Sequence, residues 1–282
     1  MKLLRYGPVG KEKPGVLDSG GNIRDLSGAI ADLTPDQLSP AALDKLRKLD
    51  PGKLPRVTGE PRIGACVAAV SKLVCIGLNY TDHANETNNP IPKEPVVFMK
   101  AISSIVGPND DVVLPKGATK GDWEVELGIV IGTKAQYVSE SDALKHVAGY
   151  CIVNDVSERA FQMERGGQWT KGKSCDTFAP IGPWLVTADE VPDPQVLDVM
   201  CEVSGVVMQK GTTKNMIFTV AQIVSYLSQF MTLMPGDIIP TGTPAGVGLG
   251  KKPPRFLKPG DTMRLTVTGL GEQRQKVLGY PA

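Results

Sequence analysis

The sequence has little histidine, no cysteine pairing, no strong charge of either sign and no long apolar run. Only His83 and His146 occur in 282 residues, so a mechanism that needs imidazole has two candidates. The five cysteines, at 66, 75, 151, 175 and 201, are odd in number, scattered and free of any C-x-x-C spacing. That pattern excludes a disulfide framework or a thiolate metal site and suits a reducing cytoplasm. A formal net charge of +1 provides no field for nucleic acid or an anionic membrane. No apolar stretch approaches the length of a membrane span, and MKLLRYGPVGKEKPG has no signal-peptide core. What remains is an ordinary soluble composition, 41% hydrophobic and 22% charged.

Residues 1–65 read as a small α+β unit of their own. MKLLRY and GVLDSGGNIRDL form short strands around a DSGGN turn, and TPDQLSPAALDKLRKL is helical, with Thr34 or Ser39 as cap. The stretch DPGKLPRVTGEPRIG is a linker. Residues 66–282 are mainly β: short apolar strands such as KLVCIGLNY, PVVFMK, VELGIVIG, GYCIVND and MRLTVTG alternate with Gly/Pro/Asp turns. SESDALKHV, SERAFQMER and TVAQIVSYLSQFM interrupt them as helices. This is not the regular alternation of a doubly wound sheet.

In GDWEVELGIVIG, Glu124 and Glu126 are two apart, so on a strand they share a face. They suit either a wet strand face or a pair of carboxylates held for a cation. Downstream, Asp155 ends the strand of GYCIVND, where it serves as a turn or capping residue or as a third oxygen ligand. Three carboxylates without sulfur or imidazole suit Mg²⁺ or Mn²⁺. Uncompensated, two such charges about 4 Å apart repel by about 4 kcal/mol at an effective dielectric near 20. On the following helix Arg159 and Gln162 share a face. His83 and Glu86, three apart in TDHANE, can touch, and a carboxylate on one ring nitrogen makes the other the better base. The glycines of GTPAGVGLGKK fit neither phosphate-loop spacing and read as tight turns. Gly166-Gly167 reads as a hinge or a plain surface loop. Cys175 has no activating partner in sequence and reads as packing.

GLNYTDHANE, PKEPVVFMK, GDWEVELGIVIG, AGYCIVNDVSERAFQ, KGKSCDTFAPIGPWLVT and LMPGDIIPTGTPAGVG, in that order, resemble the fumarylacetoacetate hydrolase family from about Val74 to Leu270. The resemblance implies a β-roll of mixed sheets with peripheral helices, a small N-terminal domain and a homodimer. It implies Mg²⁺ or Mn²⁺ on Glu124, Glu126 and Asp155, a His83–Glu86 dyad that activates water, and a catalytic Lys173. Arg159, Gln162 and Thr243 would contact a small oxo-acid substrate. The expected reaction is hydrolysis of a C–C bond in a 2,4-diketo acid, such as a 2,4-diketo-3-deoxy sugar acid, releasing pyruvate. Ureidoglycolate cleavage to urea and glyoxylate is the alternative, with tautomerase and decarboxylase activities behind it.

Overall fold

A computed structural model describes residues 1–281. Its centre is the strand Val125–Ile131, buried at every position. The run VELGIVI, apolar except for Glu126, requires this, because its apolar side chains enter two cores. Val125, Leu127, Ile129 and Ile131 point into one, and Val130 into the other. Gly128 is required by close approach to the neighbouring strand: a Cβ there would lie 2.7 Å from the Val153 side chain.

Around this strand runs a large, mostly antiparallel sheet of strand order 23–25, 13–17, 2–6, 179–187, 147–154, 125–131, 238–240, 73–77 and 96–100. The pair Ile238–Pro240 and Leu73–Gly77 is parallel. A five-stranded sheet packs on one face, in the order 206–212, 198–203, 262–267, 271–279 and 112–114. Its strands Asp198–Val203 and Thr262–Val267 alternate exposed and buried residues, as expected of a sheet with one wet face. Val199, Cys201, Val203, Met263, Leu265 and Val267 meet the large sheet in the first core. The type of element expected from sequence, β-rich with few helices, is the type observed.

The first 65 residues join the large sheet rather than standing off it. Lys2–Tyr6 lies antiparallel to Ala179–Thr187, with Leu3 opposite Leu185. Leu26, Leu33, Leu43 and Leu46 complete the second core against Leu73, Cys151 and Ile181. The helix Pro40–Arg47 has Pro40 in its first turn and Ser39 as cap, its hydroxyl accepting from the Ala42 amide at 3.2 Å. Thr34–Leu38, expected within that helix, forms a separate 3₁₀ turn because Pro40 breaks the ladder. The clearest expected helix, Val220–Phe230, opens with a Thr219–Gln222 capping box and buries Val220, Ile223, Val224 and Leu227. No helix among the described residues is long and apolar enough to cross a membrane.

Candidate metal centre and active site

Two adjacent strand ends assemble the acidic cluster. Val125 pairs with Asn154 and Glu126 with Val153, which brings the residues flanking each strand together. The Asp155 amide then donates to the Glu124 carbonyl at 2.9 Å. One oxygen each of Glu124, Glu126 and Asp155 lies within 4.8 Å of the others, and all three residues are buried. Glu124 precedes the strand rather than sitting within it, yet its carboxylate joins that of Glu126 as the shared-face argument requires.

The cations around the cluster are as specific as the acids. Lys173 Nζ lies 2.8 Å from Glu124 Oε2 and 2.6 Å from Asp155 Oδ2. Arg159 reaches Glu124 Oε1 at 2.6 Å, donates from Nε to Asp122 Oδ2 at 2.8 Å and from Nη1 to Gln162 Oε1 at 3.1 Å. Lys100 Nζ lies 2.6 Å from Asp155 Oδ1 and 3.0 Å from the Val156 carbonyl. Burial opposes ionisation of Glu124, but Lys173 and then Arg159 outweigh it and hold that carboxyl well below its usual range. Burial would lower the Lys173 ammonium, but Asp155 and Glu124 raise it instead.

Glu126 is different. Among the described residues its carboxylate has one hydrogen bond, from the Gly242 amide to Oε2, at 2.7 Å. Burial first, and then the charges of Asp155 and Glu124, push its carboxyl well up. A buried carboxyl beside two others, short of positive charge, is what a divalent cation relieves. The donor set is all oxygen, which fits a hard cation. The residues present therefore fit a metal ion.

The same cavity, about 520 Å³, is bordered by His83 and Glu86. They belong to the helix Thr81–Glu86, with His83 Nδ1 3.6 Å from Glu86 Oε2 and, among the described residues, no hydrogen-bond partner on that nitrogen. Both Glu86 oxygens accept from the Gly246 amide, at 3.0 and 2.9 Å. Burial opposes ionisation of Glu86, but the facing His83 ring and the Gly246 amide together hold its carboxyl below the usual value.

Arg159, Gln162, Lys173 and Thr243 also border the cavity, whereas Asp155 is fully buried behind it. The Thr243 hydroxyl donates to the Val125 carbonyl at 2.9 Å and receives Gln209 Nε2 at 2.7 Å. It can accept from a ligand but has no proton left to give. His146 lies elsewhere, 3.0 Å from Thr133 Oγ1. Burial raises the Cys175 thiol above its usual value, in keeping with a packing role. Gly166 and Gly167 both have positive φ in an exposed loop that leads to Trp169. That indole borders the cavity and seats on Gly77, where a Cβ would lie 2.5 Å from it.

Three buried polar residues were not anticipated from sequence. Lys100 closes the apolar strand VVFMK, and a lysine at the end of such a strand was the available signal. Asp122 accepts from the Gly248 and Leu249 amides at 2.6 and 3.0 Å while holding Arg159. Gln209 caps the Val125 amide at 3.0 Å as well as holding Thr243.

A sequence profile described as "Fumarylacetoacetate (FAA) hydrolase C-terminal" matches residues 72–278. The chain is 65% identical over 277 residues to a Burkholderia orbicola (strain MC0-3) protein named "Putative hydrolase", covering 98% of each. It superposes with a TM-score of 0.88 and 36% identity on fumarylacetoacetate hydrolase from psychrophilic Exiguobacterium antarcticum, over 99% of this chain and 100% of that one. Against maleylpyruvate hydrolase from Sphingobium sp. SYK-6 in complex with manganese(II) and pyruvate, the TM-score is 0.82 at 28% identity, with both chains fully covered. The fold and the buried acidic cluster thus define an enzyme of the fumarylacetoacetate hydrolase superfamily. This chain belongs to the fumarylacetoacetate hydrolase family.

Proposed function

We propose that this chain is a hydrolase of a C–C bond in a 2,4-diketo acid, working with Mg²⁺ or Mn²⁺ held by Glu124, Glu126 and Asp155. The observation that carries the reading is one cavity bordered both by the acidic cluster and by an imidazole–carboxylate pair. A bound divalent cation supplies Lewis acidity there, polarising substrate oxygens and stabilising enolate charge. His83, oriented by Glu86, takes a proton from the attacking water. Its Nδ1 faces Glu86, which leaves Nε2 for that proton. Arg159 and Lys173 set positive charge beside the reacting oxygens, and Gln162 offers an amide. Hydrolysis adds water across the bond between C3 and C4, giving pyruvate and the acid of the acyl half. The manganese and pyruvate of the Sphingobium complex support this reading.

The test is a substrate panel with Mg²⁺ and with Mn²⁺, comprising 2,4-diketo acids (2,4-diketo-3-deoxy sugar acids among them), ureidoglycolate and oxaloacetate. Release of pyruvate from a diketo acid is expected. Turnover of ureidoglycolate alone, or tautomerisation without bond cleavage, would replace the proposal.

A further inference from the structure

The Asp122 carboxylate does not border the cavity and has no exposed surface, yet it holds two stretches of the cavity wall. The paired strands Gly121–Asp122 and Ser157–Glu158 set it opposite Ser157, two residues before Arg159. Its Oδ2 accepts from Arg159 Nε at 2.8 Å and from the Leu249 amide at 3.0 Å. Its Oδ1 accepts from the amides of Gly248 at 2.6 Å and Trp123 at 2.9 Å. Both oxygens are thus saturated, which leaves the carboxylate a single orientation. Asparagine, with one acceptor oxygen, does not reproduce this set.

On one side Asp122 sets the plane of a guanidinium. Arg159 Nε and Nη1 donate to Asp122 and Gln162. Nη2 is paired with Glu124 Oε1 at 2.6 Å but makes no aligned hydrogen bond among the described residues. The Nε–H bond lies in the guanidinium plane, so a carboxylate that holds it fixes that plane. The nitrogen turned to the acidic cluster is therefore aimed from behind. On the other side Asp122 holds the glycine-rich strap. Gly248 and Gly250 pack so closely that a Cβ would lie 2.0 Å from the Arg255 carbonyl oxygen and 2.3 Å from Glu86 Cδ. Two residues before Gly248, the Gly246 amide donates to both oxygens of Glu86, the residue that faces His83. The glycines that fit no phosphate loop thus link Asp122 to the imidazole–carboxylate pair.

We propose that Asp122 is a positioning residue for the reaction, aiming Arg159 at the bound oxo acid and seating Glu86 through the glycine strap. The inference rests on the reading above in taking an oxo acid as the group that Arg159 meets. The probe is pyruvate, titrated calorimetrically into the Mn²⁺-loaded protein. Asp122→Asn should weaken its binding about tenfold, as loss of one charged hydrogen bond does, while Mn²⁺ affinity is retained. In an Arg159→Met background the same substitution should weaken pyruvate no further, because the effect passes through the guanidinium. On a diketo acid that is cleaved, Asp122→Asn should lower kcat about 10²-fold, more than it raises KM, since the base is displaced as well. Arg159→Lys reads the link from its other end, should Asp122→Asn fail to fold. A lysine does not reproduce the in-plane Nε contact, so the Gly248 and Leu249 amides should exchange hydrogen faster than in the parent. Unchanged pyruvate binding, a full further loss in the Arg159→Met background, loss of Mn²⁺ along with pyruvate, or unchanged exchange each overturns the role. If no diketo acid is cleaved but the binding and exchange pattern is seen, Asp122 keeps its role and the hydrolytic reading falls.

Discussion

Lys100 Nζ and Asp155 Oδ1 are 2.6 Å apart, and both side chains have no exposed surface. The lysine does not border the cavity, whereas Lys173 does. Its partners are fixed ones: a carboxylate of the acidic cluster and the Val156 carbonyl. Lys100 is thereby a positioning residue for Asp155, and removing it leaves a buried charge short of one partner.

Lys100→Met is therefore expected to destabilise the metal-free protein by about 3–5 kcal/mol, the cost of breaking a buried pair from one side. Denaturant unfolding checks this. Adding Asp155→Asn to the lysine variant should recover part of the loss, because no uncompensated carboxylate then remains. A double variant less stable than the sum of the two singles would remove Lys100 from this role.

His83→Ala and Glu126→Ala separate the two halves of the site. General-base catalysis is worth about 10²–10⁴-fold, so the histidine variant should lose about that much in kcat while keeping its affinity for Mn²⁺. Glu126→Ala should weaken Mn²⁺ binding first, and excess metal should restore part of its activity. Titration of Mn²⁺ into both proteins beside single-substrate kinetics distinguishes them. Loss of metal by the histidine variant with retention by the glutamate variant would reverse the assignments.

Much of this was legible because local patterns and chemistry agreed. The period-2 placement of Glu124 and Glu126, the strand-end position of Asp155 and the three-residue spacing of His83 and Glu86 survive folding, since each depends on geometry within a few residues. The same holds for the Arg159–Gln162 contact, made at 3.1 Å on one short helix. What the sequence hid depends on pairing between distant segments. Lys100 reaches Asp155 across 55 positions, and Gln209 reaches Val125 across 84. The N-terminal strands also looked self-contained, because nothing in KLLRY states that its edge will find the strand Ala179–Thr187. Hydrogen-bond edges are alike in every strand, so partner choice is written in side-chain packing that only the fold displays.

Gly128→Ala tests the packing at the centre of the large sheet. A Cβ there meets Val153 at 2.7 Å and the Cys151 sulfur at 3.0 Å, inside a core with no room to yield. Overpacking of this kind costs about 1–3 kcal/mol. Because Val153 pairs with Glu126, the displacement should also reach the acidic cluster and weaken Mn²⁺ binding. Unfolding and metal titration on one preparation read both effects. Unchanged stability would show that the two strands are farther apart than described.

The final expectation concerns acid and the seam between the N-terminal segment and the rest. Arg47 Nη2 lies 2.6 Å from Asp189 Oδ1, joining the helix Pro40–Arg47 to the turn after the strand Ala179–Thr187. Burial opposes ionisation of Asp189, but the Arg47 hydrogen bond and the Thr187 side chain outweigh it and bring the carboxyl from 3.8 down to about 2. A carboxyl depressed on folding contributes stability that is fully present above its unfolded value. That contribution fades as pH falls from about 3.8 toward 2. Both partners are a third to a half exposed, so solvent screens the pair and its worth stays below about 1 kcal/mol. Asp189→Asn should thus lower stability slightly at pH 7, and the gap from the parent should close as pH drops through that window. Urea unfolding of both proteins at matched pH values measures it. A gap that persisted unchanged at the acid end would mean that the ionised form of Asp189 does not hold this seam.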